Sequence, residues 1–150
     1  MPRGQSKLKI LFVCTANACR SQMAEGWARH LRADVIEPFS AGVCAVGLSG
    51  KAVQVMAEAG VDISHHRSKT VDELKETEVD YVVTLCPHAH RLLPDFPEKT
   101  RVIHFAFDDP PSLAAYAVTE QEALVHYRRV RDEIRKFVEK LPEALFETNW

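Results

Sequence analysis

The chain has 150 residues, 46% of them hydrophobic, which is enough for one core and predicts a single domain over residues 1–150. Its formal net charge of −2 gives no basic field for nucleic acid, and no apolar run is long enough for a bilayer, so we expect neither partner. Residues 1–6 lack the apolar core of a signal peptide, so we expect a cytoplasmic protein whose four cysteines are thiols rather than a disulfide framework.

The first predicted elements are a strand and a helix joined by a short loop of small and polar residues. The strand, residues 7–13, ends in an unbroken apolar run, which is typical of a strand covered on both faces. The helical pattern covers residues 21–30. In a loop at this position, the free backbone N–H groups and the helix dipole favour an anion.

The later segments alternate between strand and helix patterns. We expect strands at 35–40, 80–85 and 101–105, helices at 52–59, 71–76 and 119–141, and a proline-broken loop at 87–99. Pro38 favours a sheet edge for the second strand, Gly60 ends the second helix, and Thr119 with Glu122 predicts a capping box. The alternation predicts an α/β fold with a four-stranded parallel sheet flanked by helices.

Cys14 follows the first strand and lies at the rim of the anion-binding loop. The field that binds an anion also stabilises a thiolate, so Cys14 is the candidate nucleophile. Arg20 completes the spacing Cys-x5-Arg, and its planar guanidinium can bind two oxygens of a tetrahedral oxyanion. Ser21 can donate a hydrogen bond to the Cys14 sulfur. A cysteine or an arginine alone would indicate little, but the strand, the spacing and the helix together favour catalysis.

Two further residues fall at the same edge of the predicted sheet. Cys86 follows the third strand, so it can share a site with Cys14 although 72 positions separate them, because open parallel sheets bind ligands beyond the carboxyl ends of their strands. Asp109 follows the fourth strand and precedes two prolines that stiffen its loop. A carboxylic acid held over the anion can protonate a leaving oxygen and later act as a base.

The segment from Val13 to Ser21 resembles the active-site loop of the low-molecular-weight protein tyrosine phosphatases and of the arsenate reductases that share their fold. Further matches occur in order along nearly the whole chain, at residues 40–42, 82–86, 107–110 and 128–134. The continuation from Gln22 to Trp27 is similar to the reductases, whereas the phosphatases usually have a proline directly after the Arg-Ser pair. The resemblance therefore implies the phosphatase-like fold and, as the activity, reduction of arsenate to arsenite.

The resemblance also implies a role for each candidate residue. Cys14 would be the nucleophile and Asp109 the general acid and base. Cys86 would be the second thiol, which attacks a Cys14–arsenic adduct and leaves a Cys14–Cys86 disulfide. No cofactor is expected. The oxyanion would be bound by the loop residues Thr15, Ala16, Asn17, Ala18, Cys19, Arg20 and Ser21.

The sequence departs from the thioredoxin-coupled reductases at position 93, where Leu93 replaces their third cysteine. The oxidised form would then be reduced by an external thiol: thioredoxin, glutathione with glutaredoxin, or another small thiol. Cys19, inside the loop, is an alternative redox partner, and Cys44 is interpreted as incidental.

Some reductases of this family bind potassium beside the loop through an asparagine, a glutamate and an acidic residue. Asn17 and Glu25 match two of these positions, but Lys69 occupies the third. An ammonium group repels a cation and can replace part of its field. We therefore expect no metal.

Three other functions stay open. A phosphatase would use the same loop and the same acid, although residues 111–113 lack the aromatic side chains that usually grip a phenyl ring. A zinc- or copper-binding module would use Cys86, His88 and His90 with the pair at 65–66, which is not a recognised closed tetrahedral spacing. A catalytically silent oxyanion or redox sensor is the third.

Overall fold

A buried parallel sheet organises the chain, and the computed structural model describes it within residues 6–146. All neighbouring strands are parallel, and their order in the sheet is β2-β1-β3-β4. The predicted four-stranded parallel sheet is confirmed, and the strand that contains Pro38 is an edge strand, as expected. The strands are β1 (Leu8–Cys14), β2 (Ile36–Gly42), β3 (Tyr81–Thr84) and β4 (Arg101–His104).

Helices flank the sheet. In the described part of the chain, no helix is both long and apolar enough to cross a bilayer. The segment before Lys7 that bears on a signal peptide lies almost wholly outside the described residues. The helices are α1 (Arg20–Leu31), α2 (Gly50–Glu58), a 3-10 helix (Val71–Leu74), α3 (Pro87–Leu92), α4 (Pro110–Ala114), α5 (Glu120–Glu139) and α6 (Glu143–Phe146).

The apolar run of β1 and the apolar stripe of the C-terminal helix both lie in the core. Residues 10–13 of β1 are almost completely buried, in keeping with their unbroken apolar run. The apolar stripe predicted for the long C-terminal helix is buried throughout, at Leu124, Tyr127, Val130, Ile134, Phe137, Val138 and Leu141. Helix α1 is buried over residues 20–28, so both elements that flank the loop lie in the core.

Two short helices occupy segments where the sequence predicts only loops. Helix α3 begins at Pro87, inside the expected loop 87–99, and α4 begins at Pro110. Proline interrupts a helix but is well accommodated at its first position, where the missing N–H has no helical partner to lose. The loop prediction at 87–92 is therefore wrong, and Cys86 and Asp109 are the N-cap residues of two short helices.

The helix ends follow the sequence with one difference. Gly60 has φ of +86° just after α2, as expected of a glycine that ends a helix. Thr119 caps α5 through its hydroxyl, which accepts from the Glu122 N–H, but the Glu122 carboxylate accepts from the N–H of Val118 rather than of Thr119. The reciprocal capping box occurs at the 3-10 helix instead, between Thr70 and Glu73.

Strand register brings the ends of three strands together. Cys14 of β1 pairs with Gly42 of β2, and Val13 pairs with Thr84 of β3. Cys86 follows Thr84 by two residues, so it emerges at the same edge as Cys14.

Candidate active site

The backbone carbonyl oxygens of the loop between β1 and α1 all accept hydrogen bonds. Those of residues 14–19 accept hydrogen bonds from residues 22, 23, 43, 44, 46, 49 and 68. Among residues 6–146, no hydrogen bond takes the backbone N–H of residues 15–19 as its donor. A loop whose carbonyls are satisfied and whose N–H groups are free can bind an anion, and we call residues 14–20 the cradle.

Gly42 allows β2 to approach this loop closely. A β-carbon at position 42 would lie 2.6 Å from the backbone nitrogen of Asn17 and 2.8 Å from the carbonyl carbon of Ala16, and would also meet the carbonyl oxygen of Cys44. The loop itself bends through Asn17, whose φ of 50° is a left-handed conformation that asparagine tolerates. Both residues are therefore needed for the shape of the cradle.

A buried series of hydrogen bonds runs from Lys69 through Asn17 and Ser21 to Cys14. The Asn17 amide oxygen accepts from the Lys69 backbone N–H at 2.9 Å, which fixes the orientation of the amide. Its NH2 group must then donate to the Ser21 hydroxyl, 2.7 Å away. The Ser21 hydroxyl lies 2.9 Å from the Cys14 sulfur and is left to donate its own hydrogen to that sulfur. Ser21 therefore places a hydrogen-bond donor on the Cys14 sulfur.

Gln22 supports the same series of hydrogen bonds from behind the loop. Its NH2 group donates to the side-chain oxygen and the carbonyl of Asn17 and to the carbonyl of Arg67. Its own oxygen lies 2.9 Å from Nδ1 of His66, so Nδ1 must carry the hydrogen. Burial lowers the pKa of His66, which favours the neutral ring at pH 7. Sequence reasoning missed Gln22 and His66, because their partnership with Asn17 depends on tertiary packing.

We expect Ser21→Ala to slow alkylation of Cys14 by iodoacetamide at neutral pH. A hydrogen bond to a charged group contributes about 1.5–3 kcal/mol, so we expect the alkylation rate to fall by roughly 10- to 100-fold. Mass spectrometry of the Cys14 peptide measures the rate. Ser64→Ala, which removes a hydroxyl that donates to the exposed Asp62, is the control, and equal Cys14 alkylation rates in the two variants would contradict the role of Ser21.

Arg20 and Asp109 lie together at the cavity beside the cradle. Arg20 is 8% exposed, and one of its guanidinium nitrogens donates to the carbonyl of Phe107 at 3.0 Å. Its other terminal nitrogen lies 3.3 Å from a carboxylate oxygen of Asp109. The second Asp109 oxygen accepts a hydrogen bond from Ser112 at 2.5 Å. The guanidinium is thus held in place, and the partly exposed carboxyl group lies beside it.

A cavity of about 280 Å³ lies between these groups. Its wall contains the candidate nucleophile, the guanidinium and the carboxyl group. Asn17 and Ser21 do not line it, and they act from behind the loop. The described lining residues are Cys14, Thr15, Ala16, Ala18, Cys19, Arg20, Val46, Asp109 and Pro111.

Cys86 lies beside the cradle without lining the cavity. It is 4% exposed, and its sulfur lies 3.3 Å from the hydroxyl of Thr15, the residue that follows Cys14. The same hydroxyl is 3.3 Å from Nδ1 of His88. The structure thus brings the two cysteines to one loop, and an S–S bond between them requires Cys86 to move toward Cys14.

The other two cysteines have opposite environments. Cys19 is buried at the N-cap of α1, and burial raises the pKa of its thiol, so it stays protonated and unreactive at pH 7. Cys44 is exposed, and its sulfur lies 3.5 Å from the carbonyl oxygen of Thr15. The environment of Cys19 therefore argues against a redox role for that residue.

Lys69 extends into the region where the resemblance places potassium. Its ammonium group donates to the carbonyl of Arg67 at 3.1 Å and lies 4.0 Å from a carboxylate oxygen of Glu25. The hydroxyl of Ser40 donates to that oxygen at 2.6 Å, and Arg29 pairs with the other oxygen of Glu25. Partial burial lowers the pKa of Lys69, an effect that Glu25 opposes. The ammonium group of Lys69 therefore supplies a positive charge beside Glu25.

The histidines that could suggest a zinc or copper module are separated. His88 contacts Thr15, whereas His90 and His104 both contact the hydroxyl of Thr84. The rings of His65 and His66 meet edge to face beside α1. Within residues 6–146, no three His, Cys, Asp or Glu side chains are grouped as a metal site.

Arsenate reductases and a phosphatase match nearly the whole chain. An arsenate reductase of Halalkalibacterium halodurans is 42% identical over 139 residues, which cover 93% of this chain and 98% of that protein. A solved structure of an arsenate reductase in its oxidised state superposes with a TM-score of 0.74 at 30% identity, covering 89% of this chain and 95% of that one. The low molecular weight protein tyrosine phosphatase of T. tengcongensis gives a TM-score of 0.72 at 30% identity, covering 92% and 99%.

The family described as low molecular weight phosphotyrosine protein phosphatase matches residues 9–149. That span includes the cradle, Cys86 and Asp109, and the resemblance inferred from residues 13–21 is confirmed. The chain belongs to the low molecular weight phosphotyrosine protein phosphatase family.

Proposed function

We propose that the chain is an arsenate reductase that uses Cys14 as nucleophile and Cys86 as second thiol. The observation that carries the proposal is the buried Cys86 sulfur against Thr15 of the cradle, 3.3 Å from its hydroxyl. Hydrolysis of a phosphate ester needs one thiol, whereas reduction of arsenate needs two electrons, which a pair of thiols supplies. The name of the Halalkalibacterium halodurans relative supports the same activity.

The first step joins arsenate to Cys14. The cradle N–H groups and Arg20 bind the oxyanion, and the Cys14 thiolate forms a bond to arsenic. One arsenate oxygen leaves, and Asp109 protonates it so that it departs as water. Arg20, 3.3 Å from Asp109, keeps the carboxyl group at the cavity.

The second step reduces arsenic. The Cys86 thiolate attacks the Cys14 sulfur, the S–S bond forms, and the S–As bond breaks with its electron pair remaining on arsenic. Arsenic falls from the +5 to the +3 state and leaves as arsenite. The chain retains a disulfide, which an external thiol must reduce. We propose that this external reductant is thioredoxin, glutathione with glutaredoxin, or another small thiol, and that the chain works in a reducing cytoplasm.

A phosphatase activity is the second candidate, because the cradle, Arg20 and Asp109 serve both reactions. The T. tengcongensis phosphatase has the same fold. Against it, none of the described residues that line the cavity is aromatic, and those outside the cradle are Val46, Asp109 and Pro111. A phenyl ring would therefore find little to stack on.

The test compares the two activities of one preparation. We expect arsenate to drive oxidation of a supplied thiol reductant with release of arsenite, and p-nitrophenyl phosphate and phosphotyrosine to be hydrolysed far more slowly. Efficient phosphotyrosine hydrolysis without arsenite formation would move the assignment to the phosphatase branch.

We expect Asp109→Asn to lower kcat by about 100-fold or more with little change in oxyanion affinity, because it removes the proton donor but keeps an acceptor for Ser112. Inhibition by phosphate measures affinity independently of turnover. Asp108→Asn is the matched control, since Asp108 pairs with Arg129 instead. A normal rate in Asp109→Asn across the pH profile would show that this carboxyl group is not the acid.

A further inference from the structure

Side chains from two strands and one helix meet close to Cys86. The hydroxyl of Thr84, at the end of β3, lies 2.9 Å from Nδ1 of His90 on α3 and 2.9 Å from Nδ1 of His104 on β4. The centroids of the two imidazole rings are 4.7 Å apart, with 33° between the ring planes. Thr84 is completely buried, so this cluster connects α3 to the interior of the sheet.

The Thr84 hydroxyl can bond to both rings at once. It has one hydrogen and two lone pairs, so it donates to one ring at most, and at least one ring donates to it through an N–H at Nδ1. Partial burial lowers the pKa of His104, and the neighbouring His90 lowers it further, which favours the neutral ring at pH 7. A neutral His104 lies beside His90 without charge repulsion. The cluster is therefore a stable link between α3 and the sheet.

Helix α3 has few other attachments. Only Ala89 among its six residues is buried, and its N-cap residue makes no side-chain cap hydrogen bond. Within residues 6–146, its side chains make hydrogen bonds at two positions: His88 to Thr15 at 3.3 Å and His90 to Thr84 at 2.9 Å. Short elements with few buried contacts open locally at low cost. The shorter of these two bonds, at His90, is therefore a main attachment of the helix.

This attachment is coupled to Cys86 through the backbone. On the strand side, the N–H of Leu85 donates to a carbonyl of β1 at 2.8 Å. On the helix side, the N–H of His90 donates to the carbonyl of Cys86 at 3.1 Å, while the ring of the same histidine binds Thr84. A displacement of His90 therefore also displaces the backbone of Cys86.

We propose that His90, held by Thr84 and His104, is a positioning residue that keeps the Cys86 sulfur within reach of Cys14. The proposal rests on the proposed arsenate reduction, in which the Cys86 thiolate attacks the Cys14 sulfur in the second step. Two groups of one chain react rapidly only when they are held close to the reacting geometry. A helix that is anchored at its fourth residue keeps the thiol at the edge of the cradle, whereas a free helix lets it move away.

The link should affect this second step alone. None of its three members lines the cavity that contains Cys14, Arg20 and Asp109. Binding of the oxyanion and formation of the Cys14–arsenic bond should therefore proceed normally when the link is broken.

Variants of α3 test the proposal. His90→Ala removes the bond, His90→Asn keeps an amide group where Nδ1 lies, and Arg91→Ala is the matched control at the exposed neighbouring position. We measure arsenite released in a single turnover at saturating arsenate without reductant. We expect the rate of His90→Ala to fall by about three- to tenfold, the effect of one hydrogen bond. His90→Asn should return to near the wild-type rate, and Arg91→Ala should match it.

Two controls separate positioning from general damage. Phosphate affinity, measured by calorimetry, should be equal in all of these proteins. Iodoacetamide should label Cys86 faster in His90→Ala than in the wild type, because α3 opens more often, whereas labelling of the buried Cys19 should not change. Faster labelling of both cysteines would indicate general destabilisation and overturn the proposal. A wild-type rate of arsenite release in His90→Ala, or an equally low rate in His90→Asn, would also overturn it.

A double variant tests whether His90 acts through Thr84. Thr84→Val removes the hydroxyl and keeps the shape of the side chain. Because the ring then has no hydroxyl to bind, adding His90→Ala to Thr84→Val should slow arsenite release no further. A full additional loss in the double variant would overturn the proposed link.

Oxidation with diamide separates this proposal from the proposed function. If the wild type releases no arsenite, arsenate reduction is contradicted, but the rate at which diamide links Cys14 to Cys86 still reports how the two thiols are positioned. Slower linkage in His90→Ala than in the wild type and His90→Asn supports the positioning role. Equal rates in the three proteins overturn it.

Discussion

Cys14→Ser is expected to abolish both arsenite formation and any hydrolysis of aryl phosphates. A serine hydroxyl in the same cradle stays protonated at neutral pH, so neither reaction retains its nucleophile. Removal of a catalytic nucleophile costs about four orders of magnitude or more in kcat. The remaining cradle should be intact, because serine can accept the hydrogen bond that Ser21 offers at 2.9 Å.

Arsenite release and p-nitrophenol release measure the two activities of this variant. Phosphate binding by calorimetry shows whether the cradle is retained. Near-normal activity of Cys14→Ser in either assay would end the assignment of Cys14 for that reaction.

Cys86→Ser is expected to separate the two activities. Reduction should be lost, because no second thiol remains to attack the Cys14–arsenic adduct, whereas slow hydrolysis of an aryl phosphate should persist. The substitution should be tolerated structurally, since a serine hydroxyl can keep the contact with Thr15 that the Cys86 sulfur makes at 3.3 Å.

The assay for this variant uses a protein reductant and no small thiol, so that no added thiol can replace Cys86. Arsenite at the wild-type rate under these conditions would refute the two-cysteine mechanism. Parallel loss of hydrolysis would instead indicate that the substitution damages the cradle.

The centre of the site could be predicted from the sequence because it depends on local patterns. The apolar run of β1, the spacing from Cys14 to Arg20 and the helical pattern after it all occur within 25 residues. The meeting of Cys14 and Cys86 required one further step, the rule that parallel strands end at a common edge. The sheet confirms that rule through the pairing of Val13 with Thr84.

The remainder depended on register and packing, which a single sequence does not show. The position of Cys44 beside Thr15 depends on the pairing of Cys14 with Gly42. The contacts of Gln22 with Asn17 and His66 likewise join distant segments. Helices α3 and α4 were missed because their first residues are prolines, which are common both in loops and at the first position of a helix.

The central claim is that the chain reduces arsenate with its own pair of thiols. It is tested most directly by a single turnover with excess arsenate and no external reductant, in which arsenite and free thiols are counted. We predict one arsenite per chain and the loss of two of the four thiols. Arsenite that appears only after a small thiol is added, with all four cysteines still free beforehand, would contradict the account.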